Sequence, residues 1–263
     1  MSDPADAAED TSVQLVQSVD RALSILERLA DVGGDLGITE LAQHLGVHKS
    51  TASRLVATLE AHELVEQLQE RGKYRLGLGL LRLSAAANLT VDLVRTTRPA
   101  LRGLVDRAGE TVNLAVLSDD AALYIDQLVG NYSLQAHSWV GKRIPLHATS
   151  NGKVLLAYSR PEVLEAACAG ALPRYGPRTI TSAARLRTEV ERVREQGWAQ
   201  AVDELEEGLT AVAAPVFDAA GDVVGSVSVS GPGFRLDDQL DDLAQATMLA
   251  CEQASQRLGH RAS

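Results

Sequence analysis

The chain has 263 residues, enough for two modest domains, and 45% of them are hydrophobic, enough to bury a sizeable core. The formal net charge of −10 disfavours non-specific binding to polyanions over the whole surface, so any contact with nucleic acid has to come from a local patch. No apolar stretch approaches the length of a membrane span, and the acidic residues 1–15 predict a disordered tail of a cytoplasmic protein without a signal peptide.

Helical spacing of apolar residues predicts three short helices near the start of the chain. Ser18 and Thr39 are the predicted N-caps of the first two, and Gly46 ends the second. The predicted elements of this part are, in chain order, a helix ending at Gly33-Gly34, a short helix from Thr39, a helix over His48–His62, a hairpin with arms Val65–Leu68 and Lys73–Leu76 and a turn near Arg71-Gly72, and a connecting helix over 78–89.

Strands and helices alternate irregularly in the second half of the chain. They predict an α+β sensor-like domain with a mainly antiparallel sheet. The elements are a helix over Val91–Ala108, strands over Val112–Leu117 and Leu123–Leu128, helices over 151–159, 161–168 and 182–196, strands over Ala211–Phe217 and Val223–Val229, and a helix over Asp237–Leu258. The predicted division is a DNA-binding domain over 16–77, a linker helix over 78–90 and a sensor domain over 91–259.

Residues 39–62 have the spacing of a helix-turn-helix, in which the second helix enters the major groove. The first helix needs a small residue where the second approaches, and Ala42 supplies it. The turn needs a residue that tolerates positive φ, and Gly46 supplies it. The apolar anchors that flank these positions are Leu41, Leu45, Val47, Ala52 and Leu55.

The predicted third helix has a polar side without acids before Glu60. A helix that merely faces solvent usually mixes Glu with Lys, so this pattern favours DNA contact over a solvated face. Arg54 suits a bidentate guanine contact, and short hydroxyl side chains suit phosphates. The predicted DNA-binding residues are Lys49, Ser50, Thr51, Ser53 and Arg54, with Lys73 and Arg75 from the hairpin.

The charge of this region limits how it binds DNA. Residues 18–76 contain seven Lys and Arg side chains against nine Asp and Glu side chains, so the DNA-binding region is slightly acidic. Affinity per domain is therefore expected to be moderate and to depend on a dimer that contacts a two-fold site.

Five segments of the sequence resemble the IclR family of bacterial regulators. The resemblance rests on SVDRALSILERLA, ITELAQHLGVHKSTASRLVATLE, GKYRLGLGLLRL, HATSNGKVLLA and DELEEGLTAVAAPVFDAAGDVVGSVSVSGP, all in order. It implies an N-terminal winged helix-turn-helix and a C-terminal, GAF-like α/β domain that binds an effector. It also implies dimers or tetramers, palindromic operators and a small organic acid or related metabolite as the effector.

The resemblance also implies a set of ligand-binding residues. Ser226 to Ser230 alternate serine with valine, which by itself also fits an edge strand with a wet serine face. The run Thr149 to Lys153 looks like a helix start whose backbone N–H groups could bind a carboxylate, or like plain N-capping. Lys153 is expected to pair nearby, and Glu204, Glu206 and Glu207 to form a solvated loop. The expected pocket residues are Ser150, Asn151, Gly152, Asp203, Ser228 and Ser230, with Ile144, Leu134 and Ala136 as an apolar wall; Ala211 replaces a cysteine of some relatives.

The sequence fits two other functions less well than a ligand-responsive regulator. An enzyme is disfavoured because the sequence lacks a GxSxG elbow, HExxH, a P-loop and a catalytic cysteine signature. A sensor that acts only through protein partners is disfavoured by the intact polar side of the third helix. No cofactor is expected, His137 and His147 lack a third metal ligand at suitable spacing, and Cys168 and Cys251 are expected to be buried thiols.

Overall fold

The computed structural model describes residues 16–68, 72–86, 89–131 and 138–261. The chain divides into two compact units, with the boundary between Ala87 and Asn88. Several sequence-based expectations lie outside the described residues, namely the disordered tail 1–15, the turn residue Arg71, and Leu134, Ala136 and His137.

The first unit packs three helices against a small antiparallel sheet with the strand order β1-β3-β2. Its core joins side chains from all three helices, such as Ile25, Leu41 and Val56, to Val65 of the sheet. Its elements are α1 (Gln17–Val32), β1 (Leu36–Gly37), α2 (Ile38–His44), α3 (Lys49–Ala61), β2 (Val65–Leu68), β3 (Lys73–Leu76) and α4 (Gly79–Ala86).

The two predicted N-caps of the first unit are wrong. Helix α1 begins one residue before Ser18, and α2 begins one residue before Thr39. In α2 the Glu40 carboxylate accepts a hydrogen bond from the backbone N–H of Gly37 at 2.7 Å. An acidic side chain in the first turn can satisfy a backbone donor at the helix start, so α2 begins without a Ser or Thr cap.

The second unit is built on a six-stranded sheet with the order β6-β5-β4-β9-β8-β7, and all five strand pairings are antiparallel. This confirms the predicted antiparallel α+β architecture. Its elements are α5 (Leu89–Ala108), β4 (Thr111–Ser118), β5 (Ala121–Leu128), β6 (Arg143–Pro145), α6 (Ser150–Tyr158), α7 (Pro161–Ala169), α8 (Ala183–Gln196), β7 (Ala199–Val202), β8 (Leu209–Phe217), β9 (Val223–Pro232), α9 (Gly233–Leu236) and α10 (Leu240–Arg257).

The two faces of this sheet have different chemistry. Val227 and Val229 of β9 belong to the apolar core formed with α5 and α10. Ser226 and Ser228, which alternate with them, are buried on the opposite face, where α6 packs. Strand β9 lies between β4 and β8, so the alternative of a solvated edge strand is wrong.

Both cysteines are free and buried, as the sequence predicts. Burial raises the pKa of Cys251 to about 12, and it also raises the pKa of the Cys168 thiol. Both side chains are therefore protonated near neutral pH. Among the helices of the described residues, none is long and apolar enough to cross a membrane.

Candidate functional site

The first unit has helix-turn-helix geometry between α2 and α3. Ala42 is buried where the two helices meet, and Gly46 in the turn has a φ of +62°. A side chain with a Cβ is strained at this φ, which explains the glycine. Ala52, Val56 and Leu59 bury one side of α3, as the apolar spacing predicts.

The opposite side of α3 is open to solvent and carries most of the predicted DNA-binding residues. Lys49, Ser50, Ser53 and Arg54 are exposed, and Thr51 is half-buried. We call these five residues the reading face. Within the described chain, neither Lys49 nor Arg54 forms an ion pair, so both cations are available to an external anion.

The two cations of the β2–β3 hairpin are more engaged than those of the reading face. Arg75 forms an ion pair with Glu66, which lies directly opposite on β2. The Lys73 ammonium lies 3.4 Å from the backbone carbonyl oxygen of Asp35. A phosphate would therefore compete with Glu66 for Arg75, whereas the three N–H donors of Lys73 can reach a phosphate and the Asp35 carbonyl together.

The second unit contains a cavity of about 50 Å³ on the serine face of its sheet. Its walls come from strands β4, β5, β7, β8 and β9, the start of α6, and the segment between β7 and β8. The lining residues are Asn113, Tyr124, Trp139, Ala148, Thr149, Ser150, Ala201, Leu205, Leu209, Ala211, Ser228 and Ser230.

A buried polar network forms one side of this cavity. The Asn151 amide nitrogen donates to Ser228 Oγ at 2.9 Å, and Ser226 Oγ donates to Asn151 Oδ1 at 2.8 Å. The side chains of Asn151 and Ser228 lie close enough to the Tyr124 hydroxyl to favour its ionised form. Burial raises the pKa of Tyr124, outweighing their effect, so the phenol stays protonated near neutral pH.

Asn113 places an unsatisfied acceptor at the same cavity. Its amide nitrogen donates to Ser230 Oγ at 3.2 Å, whereas its Oδ1 is buried and has no hydrogen-bond partner among the described residues. A buried acceptor without a partner costs ~1–3 kcal/mol, so a donor that reached Oδ1 would gain interaction energy. Asn113 was not among the predicted pocket residues, although an amide within the apolar strand β4 is a signal that can be read from the sequence.

The start of α6 forms part of the cavity wall. Ser150 lines the cavity, and Thr149 is the N-cap, with its hydroxyl accepting from the Gly152 N–H at 3.1 Å. That N–H is therefore occupied. Gly152 also packs against the backbone of Leu146, where an added Cβ would lie 2.3 Å from the carbonyl oxygen.

Two further predicted pocket residues, Asp203 and Ile144, do not line the cavity. The Asp203 carboxylate accepts from the Gly208 N–H at 2.6 Å, which closes a loop beside the cavity. Ile144 of β6 is buried in the core near α6 and lines a separate surface groove. Leu134 lies outside the described residues.

The expectation that Glu204 belongs to a solvated loop is wrong. Glu204 is buried, and its carboxylate accepts from Lys153 Nζ at 2.7 Å. The pairing expected for Lys153 is thereby confirmed, while Glu206 and Glu207 are exposed as expected. In the part of the chain that the structure describes, no three His, Cys, Asp or Glu side chains are grouped so that they could hold a metal ion.

Comparisons with known proteins agree with this geometry. The family model for the IclR helix-turn-helix domain matches residues 18–69, and the model for the C-terminal part of the bacterial transcriptional regulator IclR matches residues 85–256. The chain belongs to the IclR family. It is therefore a transcription regulator with a helix-turn-helix, and the family consists of regulators, not enzymes.

Several curated IclR-family regulators are similar over nearly their whole length. The HTH-type transcriptional regulator KdgR of Escherichia coli K12 is 36% identical over 258 residues, which cover 97% of this chain and 98% of that protein. The transcriptional repressor IclR of the same organism is 31% identical over 248 residues, covering 93% and 90%.

A solved structure of an IclR homologue from Microbacterium hydrocarbonoxydans, complexed with 4-hydroxybenzoate, has a TM-score of 0.83 and 26% identity. The similarity covers 92% of this chain and 98% of that one. That relative binds a small aromatic acid, and its fold is shared here.

Proposed function

We propose that this IclR-family regulator is a repressor that binds a palindromic operator as a dimer or tetramer and responds to a small organic acid or related metabolite. Residues 16–77 bind DNA, 78–90 connect the two domains, with α4 as the linker helix, and 91–259 bind the effector. The regulator acts on DNA in the bacterial cytoplasm. The observation that carries the proposal is the unpaired reading face of α3 in one unit, together with the polar cavity in the other.

Exposed apolar side chains in the first unit support self-association. Val19 and Leu23 are more than half exposed and lie four residues apart on α1, so they share a side of that helix. Leu81 and Leu83 of α4 are exposed to a similar extent. Burying such residues against a second copy would remove apolar area from water and present two reading faces to one site.

Operator binding tests the DNA-binding part of the proposal. An operator selected from random duplex DNA is titrated with the parent and with Arg54→Ala at fixed salt. Loss of a bidentate base contact should weaken binding by ~1–3 kcal/mol. Arg185→Ala is the matched control, because Arg185 is an exposed cation of α8 in the second unit. Equal affinity of the parent and Arg54→Ala would show that Arg54 does not contact the operator.

The effector proposal rests on the chemistry of the cavity wall. The start of α6 at Ser150, the hydroxyls of Ser228 and Ser230, and the free Oδ1 of Asn113 provide both donors and acceptors. A carboxylate with a hydroxyl or amide donor matches this set. Ligand pockets usually enclose ~300–1,000 Å³, so a cavity of about 50 Å³ has to enlarge when it binds an effector.

A thermal-shift screen tests the effector site. Small carboxylic acids, ureides and 4-hydroxybenzoate are added in turn, and compounds that raise Tm are then tested for an effect on operator binding. Ser228→Ala should weaken binding of an active compound by ~1 kcal/mol. Ser226→Ala is the control, since Ser226 contacts the same Asn151 but does not line the cavity. If the two variants respond alike, Ser228 has no direct role; if no compound changes operator binding, the effector proposal fails.

A further inference from the structure

Lys153 forms a buried ion cluster beneath the cavity. It lies one helical turn after Ser150 on α6, and its side chain is 1% exposed. Its ammonium is 2.7 Å from Glu204 Oε1 and 3.2 Å from Glu189 Oε1. Glu189 is on α8, whereas Glu204 belongs to the segment between β7 and β8, so one ammonium joins three parts of the second unit.

The Glu204 contact is the one that reaches the cavity wall. Leu205, the next residue, and Leu209 both line the cavity, so the segment between β7 and β8 forms part of its wall. On the other side of the ion pair, α6 and its N-cap contribute Ser150 and Thr149 to the cavity wall. The Lys153–Glu204 pair therefore connects two walls of one cavity that lie about 50 residues apart in the chain.

The same segment is fixed from its other side through the backbone. The carbonyl oxygen of Glu204 accepts from Thr179 Oγ1 at 2.5 Å and from the Gly176 N–H at 3.0 Å. Asp203 has a φ of +54°, which is uncommon for a residue with a side chain, and its carboxylate accepts from the Gly208 N–H. These contacts fix the backbone at the start of the segment, and the Glu204 side chain is its link to α6.

We propose that Lys153 is a positioning residue for the cavity: its ion pair with Glu204 holds the 203–208 loop against α6 and so sets the position of Leu205 and Leu209 in the cavity wall. Lys153 does not line the cavity, and it acts through the loop. The consequence for effector affinity rests on the function proposed above, whereas the tether itself is a property of the free protein.

Amide hydrogen exchange of the full-length protein without ligand tests the tether. Glu204→Ala removes the link to the loop and leaves Lys153 paired with Glu189, so the buried ammonium keeps a partner. We expect exchange of residues 203–209 to become ~10-fold faster, with exchange of α10 unchanged. Glu189→Gln is the matched control, because it alters the other carboxylate of Lys153 and keeps the tether.

Trp139 gives a second measurement at the cavity itself. It lines the cavity, and Trp198→Phe leaves it as the sole tryptophan. In that background Glu204→Ala should increase acrylamide quenching of Trp139 fluorescence by ~2-fold, and Glu189→Gln should leave it unchanged.

Three results would overturn the positioning role. They are parent-like exchange of 203–209 in Glu204→Ala, equal acceleration of the loop and α10, and a Glu189→Gln variant that accelerates the loop as much as Glu204→Ala. Because these measurements need neither DNA nor effector, their failure is separate from failure of the proposed function. Faster exchange of the loop in Glu204→Ala would support the positioning role even if no compound changed operator binding. That second result would reject the effector proposal alone.

Discussion

The two units use polar side chains in opposite ways. On α3, Lys49 and Arg54 are exposed to water, which solvates their charges, so the absence of an ion pair costs little stability. Beside the cavity of the second unit, Asn151, Ser226 and Ser228 are buried and have to be hydrogen-bonded to one another. A substitution on the reading face should therefore change binding alone, whereas a substitution near the cavity should change binding and stability together.

The largest expected effect on stability is at Lys153. Lys153→Met removes the ammonium shared by the buried Glu204 and the half-buried Glu189, of which Glu189 keeps its ion pair with Arg192. Breaking a buried ion pair from one side costs ~3–5 kcal/mol, so the free energy of unfolding from urea titrations should fall by about that amount. Lys49→Met makes the same change on the exposed reading face and should leave it almost unchanged. A similar loss of unfolding free energy in both variants would show that the buried and the exposed lysine do not differ in their contribution to stability.

A smaller loss of stability is expected at Gly152. The Cβ of Gly152→Ala would lie 2.3 Å from the Leu146 carbonyl oxygen, and relief of such overpacking costs ~1–3 kcal/mol. Gly103→Ala is the control within α5, because nothing lies within 4 Å of its added Cβ. That control should raise the free energy of unfolding by ~0.5–1 kcal/mol through the higher helix propensity of Ala. Unchanged thermal unfolding of Gly152→Ala would show that α6 can shift away from Leu146.

A change in binding without a change in fold is expected at the hairpin. Glu66→Gln releases Arg75 from its ion pair, so operator affinity should rise by up to ~5-fold at low salt, the range of an exposed pair. Glu60→Gln removes the same charge from an exposed position on α3 where no ion pair is broken. Equal gains in the two variants would indicate a general charge effect on DNA binding.

The smallest effect is a pH dependence. Burial raises the pKa of Glu204 above its ordinary value of 4.5, more than Lys153 lowers it. The protonated Glu204 carboxyl therefore binds its proton more tightly in the folded state than in the unfolded state. The stability that this difference contributes is lost as pH rises from about 4.5 through the raised pKa. Glu204→Gln should flatten the fall of stability with pH in that window. An unchanged slope would mean that Glu204 titrates alike in both states.

The helix-turn-helix could be predicted from the sequence because its signals are local. The small Ala42, the positive φ of Gly46 and the apolar side of α3 all fall within about 20 residues, and each is confirmed. Only the helix starts were misplaced. In α2 the carboxylate of Glu40, and not a hydroxyl cap, accepts a hydrogen bond from the backbone N–H of Gly37.

The cavity could be predicted only in part because its residues meet through strand register. Alternation placed Ser228 correctly, but the pairing of β4 with β9 is what brings Asn113 opposite it. The run of acids after Asp203 gives no sign that Glu204 turns inward while Glu206 and Glu207 stay exposed. Lys153 was expected to form an ion pair. Its partner, Glu204, lies 51 residues away and could be identified only from the fold.

The two protonated, buried thiols have a practical consequence for experiments on this regulator. Maleimides react with accessible thiolates, and neither Cys168 nor Cys251 offers one near neutral pH. A cysteine introduced at an exposed position outside the reading face, such as Ala61 at the end of α3, would be the fast-reacting thiol of the chain. Dyes or spin labels can thus be attached to α3, and the distance between two copies on an operator can be measured without replacing either native cysteine.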